Sequence, residues 1–238
     1  MTTPPTIIER RAEDGRLLAT VGLNPANELE GPFVAYDEAG RPHMRMACRA
    51  GQPHGPATLY RDGQPEVQLG FVAGRLNGEM RTFDAAGQAT SIVRYVAGRR
   101  HGLMECLSPE GRRVLTAEYR NDRLNGAWTE FRPDGSISRR MQYKADLLDG
   151  ETLTFDAAGQ PAERTPLRRR PGGRRPAKGH GPGGAGGQSA VVAGVGVMKL
   201  RRDAKGADAP ARRLRAALMY PHQGSMVSVD GLVGDVSA

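Results

Sequence analysis

Six glycines open successive copies of one pattern: Gly31, Gly55, Gly78, Gly102, Gly126 and Gly150, separated by 24, 23, 24, 24 and 24 residues. Self-similarity at a fixed period of this size marks a repeat array, whose units cannot bury their apolar faces alone. Within each copy an aromatic or Leu recurs five positions after the glycine, at Tyr36, Tyr60, Phe83, Leu107, Phe131 and Phe155. A turn then follows, as in Asp84-Ala85-Ala86-Gly87 and Arg132-Pro133-Asp134-Gly135. Asp bonds the backbone just ahead, Pro pre-sets φ, and Gly takes the positive φ that closes a hairpin. The short copy, opening at Gly55, has lost its residue inside this turn, at Arg61-Asp62-Gly63.

The second half of each copy alternates apolar and polar residues and ends on Cys48, Phe71, Tyr95, Tyr119 and Tyr143. Period-2 alternation is the mark of a half-buried strand. A second turn then closes the copy, running from Gly51 to His54-Gly55, from Gly74 to Asn77-Gly78, from Gly98 to His101-Gly102, from Asp122 to Asn125-Gly126 and from Asp146 to Asp149-Gly150. Each copy is therefore predicted to be a β-hairpin. The fold expected is all-β: an elongated, single-layer antiparallel meander of tandem hairpins, in which stacking buries the aromatic row of one copy against its neighbours.

A hairpin repeat reading G-x-x-x-x-[Y/F]-x-x-x-G, then an aromatic, then x-x-G-x-x-[N/H]-G, resembles the MORN repeat family. The likeness is closest to its bacterial variant form, as in YwqK-type antitoxin proteins. The best matching stretches are Tyr95 to Gly102 and Tyr119 to Gly135, and the resemblance covers about residues 31–160. Of the Trp-rich eukaryotic consensus only Trp128 is present. The resemblance implies a non-enzymatic protein-binding scaffold, plausible as an antitoxin- or immunity-like partner, with no cofactor.

Three regions are expected. Residues 1–30 hold a capping hairpin around Asp14-Gly15, with residues 22–30 as a connecting insertion that does not fit the repeat spacing. Residues 31–165 form the array. Residues 166–238 form a low-complexity basic tail rich in Gly, Pro and Arg, expected to be disordered apart from a short helix at 211–220. From residue 164 onward there are 14 Lys and Arg against 4 Asp and Glu, a net of +10, whereas residues 1–163 sum to −2. The overall charge of +8 thus belongs to the tail. A tail of this kind gives the alternative function, an adaptor that holds nucleic acid or an anionic membrane surface.

Ala190 to Leu200 is apolar but, at 11 residues broken by Gly194 and Gly196, far short of the ~20 needed to span a membrane. Met1-Thr-Thr-Pro-Pro lacks the features of a signal peptide, and Cys48 and Cys106 fall about five strands apart, roughly 24 Å, beyond disulfide reach. A cytoplasmic protein with free thiols is expected. His54 and His101 occupy the position held elsewhere by Asn77, Asn125 and Asp149, residue types that share tolerance for left-handed backbone. His43 reads as a surface residue, and His180 and His222 have no metal-ligand spacing. No catalytic constellation is legible. The candidate binding face consists of Arg81, Arg94, Glu105, Glu118 and Trp128; Arg81 with Glu105, and Arg94 with Glu118, hold equivalent positions in adjacent copies, close enough nearly to meet.

If the units are modular, deleting Gly78 to His101 joins equivalent positions and keeps the hairpin phase, while deleting half of that segment does not. Circular dichroism and thermal melting should show a cooperative transition for the whole-copy deletion and a loss of structure for the half-copy one.

Overall fold

The computed structural model describes residues 3–166, together with Ala217–Leu218 and Val227–Ser228. The chain divides into two units, Met1–Pro182 and Gly183–Ala238. In the first, the strands pair in sequence order as hairpins in series must, except that two short segments, Arg75–Leu76 and Leu147–Leu148, pair only with the strand before them. β1 (Thr6–Arg11) and β2 (Leu17–Leu23) lead into β3 (Leu29–Tyr36), β4 (Pro42–Arg49), β5 (Gln52–Arg61) and β6 (Gln64–Val72). Next come β7 (Arg75–Leu76), β8 (Gly78–Phe83), β9 (Ala89–Val96), β10 (Arg99–Leu107) and β11 (Arg113–Arg120). β12 (Arg123–Phe131), β13 (Ile137–Lys144), β14 (Leu147–Leu148), β15 (Thr152–Phe155) and β16 (Pro161–Thr165) complete one 16-stranded antiparallel sheet. The substantial contacts run between ladder neighbours, so the array is one layer.

Two kinds of turn alternate along it, except in the short copy, whose Asp62-Gly63 is a two-residue turn at the first rim. At one rim Asp37, Asp84 and Asp156 each accept the amide of the residue four ahead through Oδ1, and the glycines Gly40, Gly87 and Gly159 take positive φ. At the other rim the turn is only two residues long: Ala50-Gly51, Ala73-Gly74, Ala97-Gly98, Asn121-Asp122 and Ala145-Asp146, with positive φ at both positions. That is the left-handed turn whose twist suits a hairpin. The sequence reading had stretched this second turn as far as His54-Gly55. Instead the strand resumes at Gln52, and His54-Gly55 lies inside it as a bulge: Met46 faces Ala57 and Cys48 faces Pro53, so that Ala47 alone stands opposite His54, Gly55 and Pro56. The same offset recurs at His101-Gly102 and Asn125-Gly126.

Residues 22–30 are not an insertion. Leu23 closes β2, Asn24 to Glu28 make a turn, and Leu29 opens β3. The turn escaped notice because Asn24 stands where Asp stands elsewhere, its Oδ1 taking the amides of Ala26 and Glu28, and Asn27 rather than Gly takes φ 59°. The bulge of this first copy is Glu30-Gly31, between the pairs Val21–Phe33 and Leu23–Leu29.

The aromatics form two rows, not one. Buried apolar side chains all fall on one face, here the inner face, among them Phe33, Ala57, Leu69, Phe71, Met80, Val93 and Tyr95. The second-half row of Cys48, Phe71, Tyr95, Tyr119 and Tyr143 lies there, buried as far as Tyr95 and half-buried beyond it. A further row, Leu76, Arg100, Leu124 and Leu148, sits directly across from Phe71, Tyr95, Tyr119 and Tyr143. Sequence reading had assigned that row to turns. The first-half row of Tyr36, Tyr60, Phe83, Phe131 and Phe155 points the other way and is only half-buried. Its sidedness shows in Tyr36, whose hydroxyl meets Thr20 Oγ1 at 3.3 Å, and in Tyr60, which lies under the Arg45 guanidinium at 5.9 Å.

The last strand, β16, pairs with β15 although Glu163 and Thr165 replace apolar residues, and all five of its residues are exposed. Pro161, Glu163 and Arg164 blunt it as an edge. In the second unit Ala217–Leu218 pairs antiparallel with Val227–Ser228, so the helix expected at 211–220 does not form there. The remaining expectations for the tail lie outside the described residues. Among those residues no helix is long and apolar enough to cross a membrane.

The bulge glycines give a sharp test. Gly126 has φ +135°, and a Cβ built on it would lie 2.6 Å from Glu118 Cβ, a contact that rotation of the Glu cannot relieve. Gly126→Ala should therefore lower stability by about 1–3 kcal/mol. Ala97, held at φ 50°, is strained in the opposite sense: Ala97→Asn should raise it by about 1 kcal/mol. Chemical denaturation of both variants checks the pair of signs.

Candidate binding surfaces of the sheet

Alternation along each strand sends Arg81, Arg94, Glu105 and Glu118 to the outer face, because their neighbours Met80, Val93, Cys106 and Ala117 are buried on the inner one. The ion pairs there are not those expected between copies. Arg81 donates to Glu79 at 2.9 Å and Arg94 donates to the same carboxylate at 3.3 Å. Those two hydrogen bonds hold the Glu79 carboxyl below the usual range, Arg81 contributing most. Glu105 pairs with Arg113 across its own hairpin. Cross-strand neighbours within a hairpin are one strand spacing apart, equivalent residues in adjacent copies two, and the nearer partner wins.

Trp128 does not belong to this face. It lies on the inner one, directly across from Ala117 and Met141, where its ring meets Tyr143 at 6.3 Å and an angle of 56°. Its Nε1 donates to Glu130 at 3.2 Å. Arg100 stacks on the Tyr119 ring 4.2 Å away, which with the carbonyl of Asp122 gives the guanidinium both a face and an acceptor.

At three of the bulges the residue before the glycine has a role of its own. Neither the histidines nor Asn77, Asn125 and Asp149 have positive φ, so tolerance for left-handed backbone is not why they are there. His54 Nδ1 accepts the amide of Ala73, Asn77 Oδ1 accepts that of Ala97, and Glu30 accepts that of Ala50. Each ties a bulge to the left-handed turn of the next copy. His43, expected at the surface, instead sits at the irregular end of the β3–β4 pairing with its Nδ1 buried and unbonded.

Sequence reading missed a second surface. Beside each two-residue turn one cross-strand pair projects from the outer face: Arg49–Gln52, Val72–Arg75, Val96–Arg99, Arg120–Arg123 and Lys144–Leu147. All ten side chains are exposed. Aligning the copies would have shown it, since Arg75, Arg99 and Arg123 each stand three residues before an opening glycine. The near-neutral total of the array conceals this local order.

No family model and no curated protein sequence matches this chain. Among solved structures, the crystal structure of TarM aligns at a TM-score of 0.24 and 10% identity, over 50% of this chain and 21% of that one. A single-substitution variant of S. aureus TarM in complex with fondaparinux, alpha-GlcNAc-glycerol and UDP aligns at 0.18 and 8% identity, over 57% and 19%. The chain thus spans about a fifth of the length of those proteins. Alignments this loose carry no argument about fold or function.

Both thiols are free and buried on the inner face. Burial, with a smaller effect of the Glu30 charge, pushes the Cys48 thiol up to about 11, and burial raises Cys106 and Tyr95 as well. The neutral forms are thus favoured by folding. This stability is full below the ordinary thiol value of 9.0 and is lost as pH rises through about 11. The melting temperature should fall between pH 9 and pH 11, and Cys48→Ala should remove part of that slope. An unchanged slope in that variant would contradict the burial argument.

Proposed function

We propose that the array is a non-enzymatic scaffold that binds another protein along its open sheet, in the manner of an antitoxin or immunity partner. The observation that carries this reading is the outer face. It bears mixed charges in rows repeated from copy to copy, and no other described element of the first unit packs over it. Its ion pairs are too exposed to add much stability: Arg81 and Arg94 are 49% and 61% exposed, and such pairs contribute about 0–1 kcal/mol. What a mixed-charge surface supplies is register and partner choice. The resemblance to the MORN-variant family supports the same class of function.

Both thiols and one of the histidines are committed to structure. The thiols are buried and held protonated, and His54 accepts a backbone amide. A second reading, an adaptor whose basic tail holds nucleic acid or anionic lipid, is favoured by the net +10 beyond residue 163.

The two readings part on salt and truncation. A protein partner isolated with the full chain should also be retained by residues 1–165, and its affinity should change little between about 50 and 200 mM salt. Phosphate-driven binding loses several orders of magnitude over that range. Retention only when the tail is present, with steep salt dependence, would favour the adaptor.

A further inference from the structure

The rim at the two-residue turns carries two independent signals in the same row. The first is charge. Arg49, Arg75, Arg99, Arg120, Arg123 and Lys144 are exposed and form no ion pair among the described residues. The acids nearest in sequence are engaged elsewhere: Asp122 Oδ1 accepts the Arg100 amide and Asp146 Oδ1 accepts the Leu124 amide. The second signal is apolar exposure. Of the five large hydrophobic side chains exposed among the described residues, three lie in this row: Val72 at 50%, Val96 at 49% and Leu147 at 53%. Each is the direct cross-strand partner of a base, Arg75, Arg99 and Lys144 in turn.

We infer that this rim is a docking strip for an extended, acidic and apolar polypeptide segment of a partner protein. The inference rests on the scaffold reading and gives it a partner chemistry. Arg75, Arg99 and Arg123 hold equivalent positions in three successive copies, two strands apart, or about 9.6 Å. A polyproline-II segment rises ~3.1 Å per residue with three residues per turn, so acids at every third position fall on one side about 9.3 Å apart. Over these three copies that period stays in step with the arginines, while the residues between the acids meet Val72 and Val96. Exposed valines argue against a phosphate polymer, which offers them nothing. An anionic membrane fits less well, because the strip is one residue pair wide and has no aromatic anchors. Glu79, Glu105 and Glu118, on the same face, would also be driven against a negative surface.

The test is a fluorescence anisotropy titration of the full chain with two synthetic peptides of equal composition. One repeats Glu-Pro-Leu; the other carries all its Glu in one block. The spaced peptide is expected to bind at least tenfold more tightly than the blocked one. Arg75→Glu with Arg99→Glu and Arg123→Glu should weaken it at least tenfold, and Val72→Ser with Val96→Ser about threefold. Replacing the same arginines by Gln provides a milder set should charge reversal impair folding, which melting curves would show. Equal binding of the two peptides, or binding within twofold after the arginine changes, would assign the affinity to the tail and sink the inference. So would tighter binding to phosphatidylserine vesicles or to a single-stranded oligonucleotide that both variant sets weaken. An isolated partner retained by the rim variants but lost on Arg81→Glu with Arg94→Glu would overturn the strip while leaving the scaffold reading in place.

Discussion

A lone hairpin of about two dozen residues has an apolar face and nothing to cover it, and everything in this molecule follows from how that face is buried without a second layer. The means is the two-residue bulge before each strand's middle. At His54-Gly55, Asn77-Gly78 and His101-Gly102 the glycines share φ +96°, so equivalent strands depart from flat pairing at the same place in copy after copy. A bulge bends the strand and increases its twist. Repeated in register, it keeps the inner rows closely packed enough that Phe33 and Val93 are each 1% exposed in a single sheet.

The same device joins the copies. Hydrogen bonds from Ala73 to His54 and from Ala97 to Asn77 run from the turn of one copy to the bulge of the copy before. Backbone bonds from Gly74 to Pro53 and from Gly98 to Leu76 run beside them. The helical counterparts of such arrays are stabilised by nearest-neighbour interfaces, and here that interface is partly a ladder of side chains reaching over each turn. Pro, Glu and Arg on β16 then end the array where a further copy would otherwise add.

Because inner-face positions are spent on burial, the outer face and the rims are the surfaces that the described sheet leaves to solvent. Charges of the outer face pair within a hairpin, as Arg81 and Arg94 do around Glu79 and Arg113 does with Glu105, which leaves a patterned surface of mixed charge. The bases beside the two-residue turns have no such partners. A repeat protein places equivalent residues in a line, so a modest preference at one position becomes a strip when copies stack. That amplification is the physical reason such folds serve as binding surfaces.

Period, strand alternation, hairpin turns and the all-β meander were legible in the sequence because each is local: turn chemistry and period-2 patterning act within a few residues. Trp128 was grouped with Arg81, Arg94, Glu105 and Glu118 although it faces Ala117 and Met141 on the opposite side, because which face of the sheet is buried is set by the pairing of strands and not by local pattern. For the same reason Leu76, Leu124 and Leu148 read as turn residues although they face Phe71, Tyr119 and Tyr143. Asn24 and Asn27 hid a turn by replacing Asp and Gly with residues of the same backbone capacity. Which carboxylate each arginine holds, and which bases are left without one, was decided only by the tertiary structure, since ion pairing depends on distances across the sheet that sequence separation does not record.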